Sequence, residues 1–208
     1  MHNNWHFATR YLSISYTLLY HLDEAFASSV LSSDTLPIFA VDGKYETIFH
    51  SKEEGGGENY PWIQANLRKT MLVETITIVN RIAGPDSFDY GNLLQNVEVR
   101  AGPQSLGGDF KGPIIINIWC GQLLGPGEAG RIYTIKCKKK IVSKYITVQL
   151  MTSEQTTLHI SEILVNEFKS VGRYILIKFK VSNNYINQYS LTFLIWQNLN
   201  TCTLHIYI

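Results

Sequence analysis

The residues whose types could do chemistry are few and widely separated. Ser153, Glu154, His159 and Asp86 supply nucleophile, base and acid, but no Gly-x-Ser-x-Gly elbow or comparable nucleophile context surrounds them. Glu53, Glu54 and Glu58 have the chemistry of paired carboxylates. In a stretch interrupted by Gly55-Gly56-Gly57 they are expected to be solvated. Those glycines lack the following Lys and Ser or Thr of a phosphate-cradling loop. His50 has no Cys or second His at zinc-ligand spacing and reads as a lone edge or surface histidine. Asp42-Gly43 reads as a tight turn, because Asp bonds its own following backbone and Gly tolerates positive φ. Lys136, Lys138, Lys139 and Lys140 form a short basic run, expected as a solvated turn, with a sulfated glycan or phospholipid headgroups as the alternative partner. An enzyme is not expected.

The elements that position these residues are strands. Aromatics make up 12% of the 208 residues, and Val, Ile and Thr occur in short runs, which suits a pleated surface better than a helix. Runs at 38–40, 75–80, 96–100, 114–119, 131–136, 144–150 and 162–166 are candidate strands, separated by long loops at 53–61, 84–92, 102–113 and 121–130. Ile76 and Ile78 share one face while Thr75, Thr77 and Val79 share the other; Val97 and Val99 alternate with Glu98 and Arg100 in the same way. The fold class expected is all-β. Trp62, at a loop-to-strand junction, is expected to pack the core rather than stack on a sugar.

The 18 basic and 17 acidic residues nearly cancel, so no global field attracts nucleic acid or an anionic membrane. No stretch reaches the ~20 apolar residues of a transmembrane span. Residues 1–21 hold an apolar run, Tyr11 to Tyr20, diluted by Ser13, Ser15 and Thr17, and read as an extension or a degraded signal peptide. Three cysteines leave at least one without an internal partner. Cys120 and Cys137 flank a Gly-rich stretch and are either a pair or two buried thiols; Cys202 has no evident partner. After Phe168 the sequence echoes itself: Thr203-Leu204-His205-Ile206 repeats Thr157-Leu158-His159-Ile160. Residues 169–208 therefore read as an extension, either a partial repeat or a gene-model artefact.

The order of Ala40-Val41-Asp42-Gly43, Phe49-His50-Ser51, Pro61-Trp62, Asn80-Arg81, Val97-Glu98-Val99-Arg100-Ala101-Gly102, Lys144-Tyr145-Ile146-Thr147-Val148 and Leu158-His159-Ile160-Ser161-Glu162-Ile163 resembles the F-type lectin family. This is the fucolectin, tachylectin-4 and pentraxin-1 type of domain within the discoidin-like superfamily, which includes the coagulation factor 5/8 type C domains. The resemblance spans 22–168 and implies a discoidin-like jelly-roll β-sandwich that is secreted and binds fucosylated glycans without catalysis. It implies His50 and Arg81 as donors to sugar hydroxyls, with the 19 positions from Trp62 to Arg81 matching the family spacing. It also implies a structural calcium ion held by Asp42, Thr47, Glu162 and the carbonyls of Phe39, Lys44 and Ser161, an all-oxygen shell suited to a hard cation. A Cys120–Cys137 disulfide and a homo-oligomer are further expectations of this reading.

The chain also departs from the pattern. Ala83 stands where the family has an Asp, Leu93 where it has a second Arg, and Ile63 where it has a second Trp; Ser161 replaces a commonly paired Cys. Losing one bidentate donor costs about 1.5 to 3 kcal/mol, roughly a ten- to hundredfold loss of affinity. The alternative function is a discoidin-like adhesion module binding protein or phospholipid through exposed loop tips, with Leu106, Phe110, Leu123 and Leu124 as its apolar contacts.

Overall fold

Two strand runs separated by a corner need something to turn that corner, and here the backbone does it by mispairing. The computed structural model describes residues 6–20, 22, 24–82, 89–107, 110–181, 189–198 and 201–207, with side chains for 22, 24–82, 89–107 and 110–167. Its strands are β1 (His6–Tyr20), β2 (Ala25–Ala27), β3 (Phe49–His50), β4 (Trp62–Val79), β5 (Val97–Gly102), β6 (Ile118–Leu123), β7 (Ile132–Leu150), β8 (His159–Ile160), β9 (Glu162–Val181), β10 (Tyr189–Asn198) and β11 (Thr201–Tyr207). The described helices are short 3₁₀ turns. The chain divides into two compact units, Thr17–Phe168 and Met1–Tyr16 with Lys169–Ile208. In the second of these, β10 pairs antiparallel with both β9 and β11.

Within the first unit, β4 and β7 pair along almost their whole length. Trp62 faces Gln149 at one end and Val79 faces Ile132 at the other. Between them the register slips twice. Asn66 pairs with Tyr145 and Met71 with Ser143, so 67–70 bulge opposite Lys144; Val73 pairs with Ile141 and Thr75 with Lys136, so 137–140 bulge opposite Glu74. Bulges bend a strand and increase its twist. The bent hairpin thus serves both layers of a β-sandwich. One layer contains β2, the start of β4, the end of β7, β5 and β6; the other contains the end of β4, the start of β7 and the start of β9. β3 and β8 form a separate two-stranded ladder.

The period-2 pattern faces its apolar side inward from both layers. Ile63, Ala65, Val97, Val99, Ile146 and Val148 from one layer meet Ile76, Ile78, Ile135, Ile163 and Val165 from the other in one buried cluster. Each large aliphatic side chain buried there contributes about 1.5–3 kcal/mol. The Cys120–Cys137 disulfide joins β6, at the edge of one layer, to the 137–140 bulge of β7.

Trp62 is buried but is absent from that central cluster. It alternates out of the core with Gln64, on the face also carrying Thr147 and Gln149, and residues 103–107 and 110–117 cover this face. Trp62 Nε1 donates to the Phe110 carbonyl at 3.0 Å, the Leu106 amide donates to Gln64 Oε1 at 3.0 Å, and the Ile114 amide donates to Gln149 Oε1 at 2.7 Å. Trp62 packs the sandwich as expected, under this cover rather than in the central cluster. Leu106 and Phe110 lie on this cover; they and Leu123 are only partly exposed, and Leu124 alone of the four is exposed.

Other expectations change for local reasons. Residues 37–40 form a 3₁₀ turn rather than a strand, with Pro37 at its first position, where a missing N–H costs least. The strand expected from 114 begins at Ile118, because 114–117 belong to the cover. Glu58 is not solvated: it is 6% exposed, accepts from Ser28 Oγ at 2.7 Å and from Ser29 Oγ, and lies 3.7 Å from Lys111 Nζ. It clamps the segment before β3 to the cover. Among the described residues, no helix is long and apolar enough to cross a membrane.

The disulfide closes a loop of sequence separation 17. Replacing both cysteines by Ala is expected to lower unfolding free energy by about 3 kcal/mol, read as a lower urea midpoint. An unchanged midpoint would show that the β6 edge is held without it.

Candidate functional site

The end of β4 delivers Asn80 and Arg81 beyond the sandwich edge. Asn80 is 1% exposed and uses its whole amide: Nδ2 donates to the carbonyls of Gly91 at 2.8 Å and Glu128 at 2.9 Å, and Oδ1 accepts from the Arg81 amide at 2.9 Å. Two loops, 89–96 and 124–131, are thereby tied to the base of Arg81. The Arg81 carbonyl accepts from the Gly130 amide at 2.8 Å. The loops meet so closely at Gly91 that an added Cβ would lie 2.2 Å from the Ala129 nitrogen. Only glycine fits there. Asp89 Oδ1 caps the 3₁₀ turn Tyr90–Leu93 by accepting from the Gly91 amide, and Tyr90 on that turn lies under Arg81, whose Cζ is 4.2 Å from the ring centroid. This cation–π contact fixes the guanidinium without using its hydrogen-bond donors.

The β3–β8 ladder supplies the imidazoles. Its register pairs Phe49 with Ile160 and His50 with His159, so the two histidines are cross-strand neighbours with ring centroids 4.0 Å apart. Both are buried. His50 Nδ1 lies 2.5 Å from the Ser51 carbonyl, which makes Nδ1 the protonated nitrogen of a neutral ring and leaves Nε2 as an acceptor. His159 Nε2 lies 2.9 Å from Thr157 Oγ1, and the ring also bonds the Tyr90 backbone. His159 therefore links β8 to the turn carrying Tyr90. Burial, opposed by the Ser51 carbonyl and Glu53 and aided by Arg81, lowers the His50 pKa. Burial foremost, then His50 and Arg81, lowers His159 to about 3.

A second constellation forms beside the first. Thr47 Oγ1 lies 3.0 Å from each Asp42 carboxylate oxygen, 3.2 Å from the Lys44 carbonyl and 3.5 Å from the Phe39 carbonyl. The Gly43 amide donates to Glu162 Oε2 at 3.0 Å. Glu162 is fully buried and its Oε1 has no hydrogen-bond partner. Burial, together with the Asp42 charge and against the Gly43 and Lys44 amides, raises its pKa to about 7. Ser161 is also buried, its amide bonded to the Val79 carbonyl and its hydroxyl without a partner. Among the described residues no group of three or more His, Cys, Asp or Glu side chains forms a metal cluster; this constellation offers two carboxylates, a hydroxyl and carbonyls.

His50 and Arg81, 31 positions apart in sequence, thus come into one neighbourhood, and Phe39, Asp42, Lys44, Thr47 and Glu162 come into another. Ala83 lies outside the described residues. Leu93 is half-buried on the turn that presents Tyr90. Sequence reasoning missed His159 and Tyr90 as site residues, because their placement depends on a two-residue ladder and a loop contact. A cavity of about 150 Å³ lined by Asn96, Glu98, Gln122 and Leu124, among others, includes none of these site residues.

Asn80→Ala would leave two carbonyls without their donor, and is expected to cost about 1–3 kcal/mol with increased hydrogen exchange in 89–96 and 124–131. The histidines make a pH prediction. The unfolded chain takes up protons below about pH 6.5 that folded His159 refuses until about 3, so this residue's contribution is complete above 6.5 and declines as pH falls. Glu162 has the opposite sign between about 4.5 and 7, so the comparison must be by difference. The stability of His159→Asn should fall less steeply with acid than that of the parent, by up to about 1.4 kcal/mol per pH unit. Parallel urea-stability curves from pH 7 to 4.5 would contradict this.

No protein-family profile and no curated protein matches the sequence. Solved structures do match. The family 32 carbohydrate-binding module of NanJ from Clostridium perfringens, in complex with galactose, superposes with a TM-score of 0.56 at 19% identity, over 74% of this chain and 100% of that one. An F-lectin (fucolectin) from striped bass (Morone saxatilis) serum gives 0.55 at 22% identity over 77% of this chain, which spans about half (49%) of that lectin. A fucose-binding module from Streptococcus pneumoniae gives 0.50 at 21% identity, over 70% of this chain and 91% of that one. With the two bent layers described above, these similarities identify the chain as a discoidin-like β-sandwich, the fold shared by these lectin and carbohydrate-binding modules.

Proposed function

We propose that the unit Thr17–Phe168 is a non-catalytic carbohydrate-binding module, supported by calcium, whose sugar is fucose or a related neutral hexose held by His50 and Arg81. The observation that carries this reading is the convergence of Arg81, Tyr90, His50 and His159 at one end of the sandwich. Arg81 donates; neutral His50, expected as a donor, instead offers Nε2 as an acceptor. A sugar hydroxyl both accepts and donates, so this pairing suits a neutral diol. A bound phosphate or sulfate would turn oxygen lone pairs toward the imidazole lone pair. The similar structures, one solved in complex with galactose and another a fucose-binding module, support the carbohydrate class. In place of the second Arg of the family pattern, Tyr90 braces the first. The cost is a donor; the gain is a pre-set guanidinium.

The oxygen constellation fits calcium in donor chemistry: Asp42, Glu162, the Thr47 hydroxyl and the Phe39, Lys44 and Ser161 carbonyls are hard ligands of the number such an ion takes. The buried, unpartnered Glu162 Oε1 is the feature a cation would satisfy. When bound, the ion supplies charge that neutralises two carboxylates and ties the 39–47 loop to β9. The Cys120–Cys137 disulfide is consistent with an oxidising, extracellular setting.

Titration with L-fucose and D-galactose, alongside a glycan array, tests the reading. Arg81→Ala is expected to weaken sugar binding by about ten- to a hundredfold. A folded, calcium-loaded protein that binds no glycan would sink the sugar function and leave the fold. Calcium at about 100 times its Kd should add about 2.7 kcal/mol, raising Tm by roughly 5–10 °C. Asp42→Ala should abolish that rise, and an equal rise in the variant would place the ion elsewhere.

A further inference from the structure

The bulge at 137–140 leaves a feature that the sugar site does not use. From Ala129 to Ser153 the chain has six basic residues and no acidic one, and the neighbouring strand β6 also lacks a carboxylate. Three of the lysines, Lys138, Lys139 and Lys140, are consecutive and exposed on the bulge opposite Glu74. Glu74, opposite the bulge, lies 3.9 Å from Lys136 Nζ. In a chain of net charge +1 this is a local concentration of positive potential.

We propose that this lysine knuckle binds a sulfated polysaccharide. The knuckle is held in shape from both sides: Cys137 is tied by disulfide to Cys120 of β6, and Lys138 Nζ lies 5.1 Å from the centroid of the Trp119 ring on the same strand. Little loop entropy is then lost when an anion binds. Half-buried Trp119 places an apolar ring beside the ammonium groups, the combination that suits a polymer of sugar rings bearing sulfates. The exposed apolar neighbours, Ile118 and Val142, lie within strands rather than on a projecting tip, which disfavours insertion into a membrane. One aromatic beside one compact cluster also lacks the groove and successive stacking platforms of a single-stranded nucleic-acid site. The knuckle lies at the bend of the β4–β7 hairpin, away from the Val79–Ile132 end that carries Arg81, and does not rest on the neutral-sugar reading.

Binding of the full chain to immobilised heparin, fully desulfated heparin, phosphatidylserine vesicles and single-stranded DNA tests the proposal, over a range of salt. Retention on heparin and loss on the desulfated polymer are expected. The triple variant Lys138→Glu, Lys139→Glu, Lys140→Glu should bind heparin at least about tenfold more weakly and lower the slope of log affinity against log salt by about three. Arginine at the three positions should preserve binding. If the charge-reversed protein does not fold, by its melting curve, the triple Gln variant is read with the same expectation. Unchanged heparin binding in the neutralised variant, equal binding of desulfated heparin, or retention only on vesicles or DNA would overturn it.

Discussion

The bent β4–β7 hairpin is the constraint on which the rest of this domain depends. Its two bulges lie on opposite strands, 67–70 on β4 and 137–140 on β7, so the ladder is interrupted twice and resumes each time in antiparallel register. A straight hairpin of this length would extend one flat sheet. Bent, it places Ile63 and Ile76 of a single strand in the same core, facing from different layers. In the two layers β2, β5 and the start of β9 pair with this hairpin and β6 pairs with β5 beside it, while β3 and β8 pair with each other.

Bringing both ends of the hairpin together is also what creates the end that carries the candidate site. β4 begins at Trp62 and ends at Val79, and both termini face the end of the sandwich where β7 starts and finishes. Loops emerging there are held by few but complete polar contacts. Asn80 satisfies two loop carbonyls and one amide, and His159 connects the β8 ladder to the Tyr90 turn. Buried amide and imidazole groups of this kind are costly when partly satisfied and specific when fully satisfied. They make the position of Arg81 a consequence of packing rather than of the mobility of its own long side chain.

The two constellations share a wall. Val79 pairs with Glu162 and accepts from the Ser161 amide, while the next two residues are Asn80 and Arg81. A charge change at Glu162 is therefore separated from the guanidinium by one short stretch of strand. His159 stands two residues before Ser161 on the other side. The 39–47 loop, through Glu162, and the imidazole pair, through His159, thus adjoin the same short run of backbone, residues 159–162.

Much of the fold was legible in the residues because period-2 alternation is local: Ile76 with Ile78 and Val97 with Val99 declare which face is buried before any partner is known. The ordered motifs also singled out Asp42, His50, Arg81 and Glu162, which lie in two neighbourhoods of the structure. Trp62 was read as buried and Glu58 was misread as solvated; in neither case does the residue type reveal which distant segment will lie over it. His159 and Tyr90 joined the site only through a two-residue register and a loop contact. The sequence by itself determined strand periodicity and the residue types available for binding, because these depend on side chains a few positions apart. The tertiary structure alone decided which of those residues meet and which polar groups lose water, because convergence across more than a hundred positions is set by the bulges that fold the hairpin over.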